Sequence, residues 1–504
     1  MSGASADSAS WLALSAWVRS RGGFLSEGLS EGLSPETGVR GLVTSSVLND
    51  GETILYIPLS CFITNTKFKS SLEALSGQLK LLDDIALALA LLAAQSAGTH
   101  APYVNSLPTS ADFAECLPSW WSAEDRASLL HGSPLLEEVE ANLSCFEHDW
   151  ALLLDVRIAL GMPQLAGGSL RWALAVVTSR AFTMDSGVSC LIPGMDIMNH
   201  RRPRVASYTF SEDGIDDTGV KVKTLQAVQK GAEVTITYGA KSNSHLLCNY
   251  GFTVAGNTEP DGSSNDLCRV RFSLDSQPSR KRKASDTEAA DEGKDEVHAL
   301  RLERWKAFKT SDDNTQASQH DDDGARLLDL RLTSSSAPKH YMFGAFTKCL
   351  DTCRVLSLTA ATIGSTGKKL EPQHTRSEVA ALNYLAAHLL DVDARYANPP
   401  ANYSPISCDD ARRINCIRVI SSERRTLQFY AKVATTVASI LRRETTSPRG
   451  DSQWKTAALE TLAAADATAS QDAATCDADP FLSPLCTVTK LVHTFLQVKF
   501  GVKL

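Results

Sequence analysis

Hydrophobic residues along this chain fall into two rhythms, and the switches between them lay out its elements. Trp11, Leu12, Leu14, Trp17 and Val18 recur at helical spacing and predict a short amphipathic helix closed by Gly22-Gly23. Two β-rich runs follow, at 38–43 and 53–57, about a turn at Asn49-Asp50-Gly51. They predict a strand pair with a hairpin-like connection, stopped by Pro58. From 70 to 182 the helical period takes over. Leu72, Leu75, Leu79 and Leu82 set a stripe that 85–94 continues, 117–122 looks like a helix entry, and 135–154 and 170–177 supply two more helices. Strand rhythm returns at 189–193, 205–210, 220–227 and 233–238, with Lys230-Gly231 as the turn before the last.

After 258–262 the composition shifts, which predicts a domain boundary. The run 267–274 alternates like a strand. Two polar inserts follow, at 276–295 with Arg280-Lys281-Arg282-Lys283, and at 310–324 with Asp321-Asp322-Asp323; both are expected as loops. From Tyr341 onward helical patterns dominate, at 379–390, 409–443 and 454–465. The expected architecture is α+β. It has a core of short strands over 1–258 with a helical insertion at about 70–182, then a helical domain over 259–504.

Composition narrows the partners. With 504 residues the chain has room for two or three domains, and a net charge of -8 offers no basic field for DNA or RNA. Twelve cysteines without a CxxC pair make neither a disulfide scaffold nor a zinc cluster, so no metal is expected, and the chain reads as a reduced intracellular protein. Cys349 and Cys353 are the tightest pair, at the spacing of core positions on a helix. The first ten residues lack the order of a secretory signal. The apolar run 85–94 is too short for a membrane span, which needs about 20 residues, and predicts a buried helix.

Four short segments carry the chemistry: Ser179-Arg180-Ala181-Phe182, the stretch from Ile192 to Asn199-His200, the stretch from Gly231 to Tyr238-Gly239, and Asn249-Tyr250-Gly251-Phe252. An Asn side chain offers one acceptor and two donors, enough to read the edge of a base. A Tyr hydroxyl at the end of an apolar strand can orient an amine without carrying full charge, and an aromatic face beside an ammonium adds about 0.5–2 kcal/mol. Glycines at 38 and 41 let the backbone approach a ligand closely.

In this order the segments resemble the SET-domain methyltransferases, in the branch typified by the Rubisco large-subunit lysine methyltransferase of plants. The resemblance implies a SET β-core with a helical insertion, an all-helical substrate-binding domain after it, and S-adenosylmethionine as cofactor. By resemblance the cofactor lies against Gly38, Val39, Arg40, Arg180, Phe182, Asn199, His200, Tyr238 and Phe252. Arg180 faces the methionine carboxylate, Asn199 bonds the adenine and Phe252 stacks on it. Tyr238 supplies the catalytic hydroxyl, Tyr250 and Phe182 wall the acceptor channel, and Asp196 sits near the acceptor side.

The implied activity is protein-lysine N-methylation. Histidine methylation and a catalytically silent binding module are the alternatives, the latter disfavoured because Asn199, His200 and Tyr238 are all present. Met184 stands where the plant enzyme has a basic residue near its substrate, so a different peptide is expected. Without the cysteine-rich zinc clusters common in histone-modifying relatives, a non-histone protein is the expected substrate, with no nucleic-acid or membrane partner and a monomeric chain. The Arg280–Lys283 cluster reads as a nuclear import signal, which leaves both cytoplasm and nucleus as expected locations.

Overall fold

The computed structural model describes residues 3–75, 77–211, 218–261, 263–274, 294–312, 318–320, 325–333, 340–358, 375–397, 411–443, 456–464 and 488–500. The chain divides into two compact units. The first holds Met1–Trp121, Glu138–Lys241 and His245–Gly251, and the second Ser122–Glu137, Ser242–Ser244 and Phe252–Leu504. The expected helical insertion is therefore not one block, since 122–137 groups with the second unit. The physical reason is visible at Ser133, whose hydroxyl donates to buried Glu423 at 2.7 Å while the Tyr396 hydroxyl donates to the same oxygen at 3.1 Å.

Among its described residues the first unit contains nine short strands: β1 Phe24–Leu25, β2 Leu29–Leu33, β3 Arg40–Thr44, β4 Thr53–Pro58, β5 Ile63–Thr64, β6 Phe182–Thr183, β7 Ser189–Leu191, β8 Ala206–Ser211 and β9 Gly219–Thr224. They form three small antiparallel sheets, in the orders β1-β4-β9-β8, β2-β3 and β5-β7-β6. The expected hairpin of 38–43 with 53–57 does not form. β3 pairs instead with β2 in front of it, Gly32 opposite Gly41 and Leu33 opposite Arg40, while β4 pairs with β1 and β9. The turn at Gly51 is real, with φ +73°, but it leads from one sheet into another. The run 233–238 forms two isolated bridges, Val43 with Glu233 and His200 with Ile236, in place of a strand. Its backbone is tied alternately to two neighbours: Val234 N donates to Leu42 O at 2.8 Å, and Ile236 N to Asn199 O at 3.0 Å.

Two helices, Leu82–Ala97 and Gly167–Arg180, pack against each other, and the first lies against β5 and β7. Ile85, Leu89, Leu91, Val176 and Val177 are buried there with Leu42, Leu55, Ile57, Val220 and Ile236. Each such side chain contributes about 1.5–3 kcal/mol on leaving water. The run 85–94 is thus the middle of a buried helix, as its length required. Its start is fixed from outside: Asp149, fully buried, accepts from Lys80 N at 2.8 Å and Leu81 N at 2.8 Å. Among the described residues no helix is long and apolar enough to cross a membrane.

The second unit is mainly helical, with Lys294–Asp312, His340–Leu356, Thr375–Ala394, Ala411–Arg443 and Val488–Phe500. It is not built of helices alone, for it also contains an antiparallel sheet of three strands, β10 Ser263–Phe272, β11 Ser318–His320 and β12 Arg326–Thr333, in the order β10-β12-β11. Alternation along β10 buries Cys268, Val270 and Phe272 against the helices. Cys349 and Cys353 lie in that core, as their spacing suggested. The expected loop inserts are helical at 294–295 and 310–312 and extended at 318–320. Their remainder, with the Arg280–Lys283 cluster and Asp321–Asp323, lies outside the described residues.

Candidate active site

Four segments converge on the 233–238 run. The loop between β2 and β3 brings Gly38, at φ +68°, with Gly38 N donating to Ser34 O at 2.8 Å. Val39 is 54% exposed at its crest. Arg40 turns inward, where its Nε pairs with buried Glu31 and its Nη2 donates to Ser106 O at 2.9 Å. Asn199 spans the gap to the opposite side: its Nδ2 donates to Arg40 O at 2.9 Å and to Glu233 Oε1 at 2.6 Å.

His200 is a fastener for the next residues. Its Nδ1 accepts from Tyr238 N at 2.9 Å, which requires the neutral tautomer protonated on Nε2. Burial first, and then the Arg202 charge, lower its pKa to about 4, so the ring keeps that lone pair at neutral pH. The Tyr238 hydroxyl donates to Met198 O at 2.9 Å, and its ring lies 4.9 Å from Tyr250 and 5.3 Å from His200. Burial raises the Tyr238 phenol well above its ordinary range, against the opposing pull of Arg180. A phenol held neutral in this way can orient a neighbour but not serve as a base.

Tyr250, on the helix Asn243–Tyr250, is half-buried, and its phenol is pushed up by burial and by Tyr208. Tyr208 on β8 meets Phe182 edge-on at 5.6 Å and Phe210 at 5.8 Å. The rings thus fall into two groups, Phe182–Tyr208–Phe210 and His200–Tyr238–Tyr250, with Tyr208 close enough to Tyr250 to act on its phenol. Tyr208 received no role from the sequence, although its alternation with Phe210 in a strand was a usable signal.

Arg180 ends the helix Gly167–Arg180 and turns toward Asp196: its Nη1 donates to the Asp196 carbonyl at 2.7 Å and reaches its carboxylate at 3.4 Å. Fully buried Tyr103 donates to the same carboxylate at 3.1 Å. Burial pushes the Asp196 carboxyl up, while Arg180, the Tyr103 bond and Arg40 pull it down. Asp196 is therefore an interior counter-ion beneath Arg180, with no exposed oxygen to present at an acceptor channel. The two partners leave Arg180 Nε and Asp196 Oδ1 buried without hydrogen bonds. Phe252, the last of the expected residues, is half-buried and is assigned to the second unit. Gly251 before it has φ +79°, and a Cβ there would lie 2.7 Å from Cys116 Cβ and Sγ.

A β2–β3 loop, an Asn-His segment, a terminal Tyr-Gly run and a Tyr-Gly turn gathered on one set of small sheets are the parts of a SET domain. The family model for the SET domain matches residues 39–239, and the chain carries that domain. Over 269 residues it is 27% identical to SET domain-containing protein 4 of Homo sapiens, covering 49% of this chain and 59% of that protein. It is 24% identical over 255 residues to N-lysine methyltransferase SETD6 of Bos taurus, covering 46% of this chain and 53% of that protein. The chain thus spans little more than half the length of these curated relatives. In fold it is similar to the SET domain of LSMT bound to lysine and AdoHcy, with a TM-score of 0.61 at 16% identity, covering 90% of this chain and 99% of that one. It is also similar to Rubisco LSMT bound to AdoMet, with a TM-score of 0.59 at 16% identity over 88% of this chain and 97% of that one.

Proposed function

We propose that this protein transfers a methyl group from S-adenosylmethionine to a lysine side chain of a non-histone protein. The observation that carries the reading is the gathering of Arg180, Asn199, Tyr238 and Tyr250 about the 233–238 run. When bound, the cofactor supplies an electrophilic methyl on a sulfonium. The residues present fit it. Gly38, at φ +68°, gives with Val39 and Arg40 an open backbone edge, and Arg180 Nε is a buried donor in want of an anion, suited to a carboxylate. Asn199 contributes its amide, His200 holds Tyr238 in register, and Phe252 is proposed to cover the adenine.

On the acceptor side, the Tyr238 hydroxyl donates to Met198 O, and its oxygen is proposed to accept an N–H of the amine. Tyr250, 4.9 Å from the Tyr238 ring, sets an aromatic face beside that position, and Phe182 and Tyr208 are proposed to extend the wall, which favours a cationic or methylated amine and keeps water away. An aromatic wall of this kind supports lysine over histidine, because an imidazole needs a polar partner for its second nitrogen. The second unit is proposed to bind the protein substrate, and the chain to act as a monomer in cytoplasm or nucleus. The test is to incubate the protein with labelled S-adenosylmethionine and a proteome extract, and to identify modified residues by mass spectrometry. Labelled lysine that disappears with Tyr238→Phe supports the proposal; labelled histidine, or labelling indifferent to Tyr238, overturns it.

A further inference from the structure

Glu233 stands at the crossing of three segments. Two acceptors converge on one end of the Asn199 amide, the Arg40 carbonyl 2.9 Å and Glu233 Oε1 2.6 Å from Nδ2. A primary amide has a donor end and an acceptor end, and only the NH2 end satisfies both neighbours, so Oδ1 is turned away from them. The carboxylate makes this a charge-assisted bond, and its short length fits that class. The Asn199 backbone is tied to the same run through Ile236 N. Gly41 makes the room: a Cβ there would lie 2.5 Å from Glu233 Oε1 and 2.7 Å from Asn199 Nδ2. The glycine and the carboxylate together leave the amide one orientation.

We infer that Glu233 is a positioning residue that locks Asn199 with its acceptor oxygen outward, so that the site selects an N–H donor on its ligand. On S-adenosylmethionine such donors are the ammonium of the amino-acid end and the exocyclic amine of the base. With both amide hydrogens spent, Asn199 has no donor left for a ring nitrogen of adenine. The inference deepens the cofactor reading and rests on it.

Calorimetry on the full chain decides the matter, with S-adenosylhomocysteine and two analogues, one lacking the α-amine and one carrying hypoxanthine in place of adenine. Glu233→Met keeps the side-chain length without an acceptor and is expected to weaken S-adenosylhomocysteine about tenfold. For whichever analogue lacks the selected amine, the same substitution is expected to cost almost nothing, which identifies the donor. Glu233→Gln retains an acceptor and is expected to restore both affinity and selectivity. Equal losses for all three ligands, or no loss at all, overturn the inference. If the Met variant melts too low to assay, Gly41→Ala displaces the same pair and must abolish the same selectivity; selectivity retained there overturns the inference. Absence of binding by the unaltered protein is a separate failure, which removes the cofactor reading and this inference with it.

Discussion

Replacing Tyr238 by Phe isolates the hydroxyl from everything else the residue does. The ring keeps its place against Tyr250 and His200, and the backbone N–H still donates to His200 Nδ1 at 2.9 Å. What disappears is one bond to the Met198 carbonyl at 2.9 Å, with a stability cost of about 0.5–1.5 kcal/mol. The same oxygen is proposed to hold the acceptor amine, and loss of one preorganised polar group at a reacting centre costs roughly 10²–10³ in turnover, or about 3–4 kcal/mol. The two figures separate cleanly. Initial rates with labelled S-adenosylmethionine should fall by that factor, while calorimetry shows cofactor affinity changed by less than about threefold. Turnover within about threefold of the unaltered protein would refute the assignment of Tyr238. A parallel collapse of folding would show that the bond to Met198 is structural.

Three further outcomes follow from the geometry. Asp149→Ala strips the part-buried amides of Lys80 and Leu81 of their acceptor and should cost roughly 1–3 kcal/mol in urea unfolding, with cofactor affinity per folded molecule unchanged. Gly251→Ala forces a side chain into φ +79° and against Cys116, and should lower stability by roughly 1–3 kcal/mol and reduce turnover through Tyr250, read by thermal melting and initial rates. His200 has its folded pKa lowered to about 4, so the unfolded chain binds its proton first. Stability from this group is complete above about pH 6.5 and declines as pH falls toward 4, and the gap between melting temperatures at pH 5 and 7 should narrow in His200→Gln. His245, also lowered to about 4, adds a slope of the same sign that remains in the variant.

Local rhythm was enough for the helices. The stripe through Leu82 and Ile85 needs no partner to be recognised, and the helix Leu82–Ala97 follows from it. Pairing is another matter. β3 looked like the first half of a hairpin with β4 because Asn49-Asp50-Gly51 is a good local turn, yet its partner is β2 and its far edge is Glu233. The 233–238 run has strand composition but alternates its hydrogen bonds between two neighbours, so no ladder forms. The site shows the same division. Arg180, Asn199, His200, Tyr238 and Tyr250 were found by motif, and they lie about one run. The buried polar residues around them, Glu31, Tyr103 and Asp149, hold Arg40, Asp196 and the 80–81 backbone, partners that lie 9, 93 and 69 positions away. No local pattern distinguishes such residues from surface ones. Asp196, placed on the acceptor side by resemblance, is buried as the counter-ion of Arg180.

One site for the methyl donor and one for the amine are proposed to meet at the Tyr238 hydroxyl. A crystal structure of the chain with S-adenosylhomocysteine and a lysine-containing peptide would locate both. The ligand's carboxylate is expected at Arg180, an amine of the ligand on Asn199 Oδ1, and its sulfur facing the lysine nitrogen beside Tyr238. A ligand bound elsewhere, or a sulfur separated from Tyr238 by protein, would contradict that proposal.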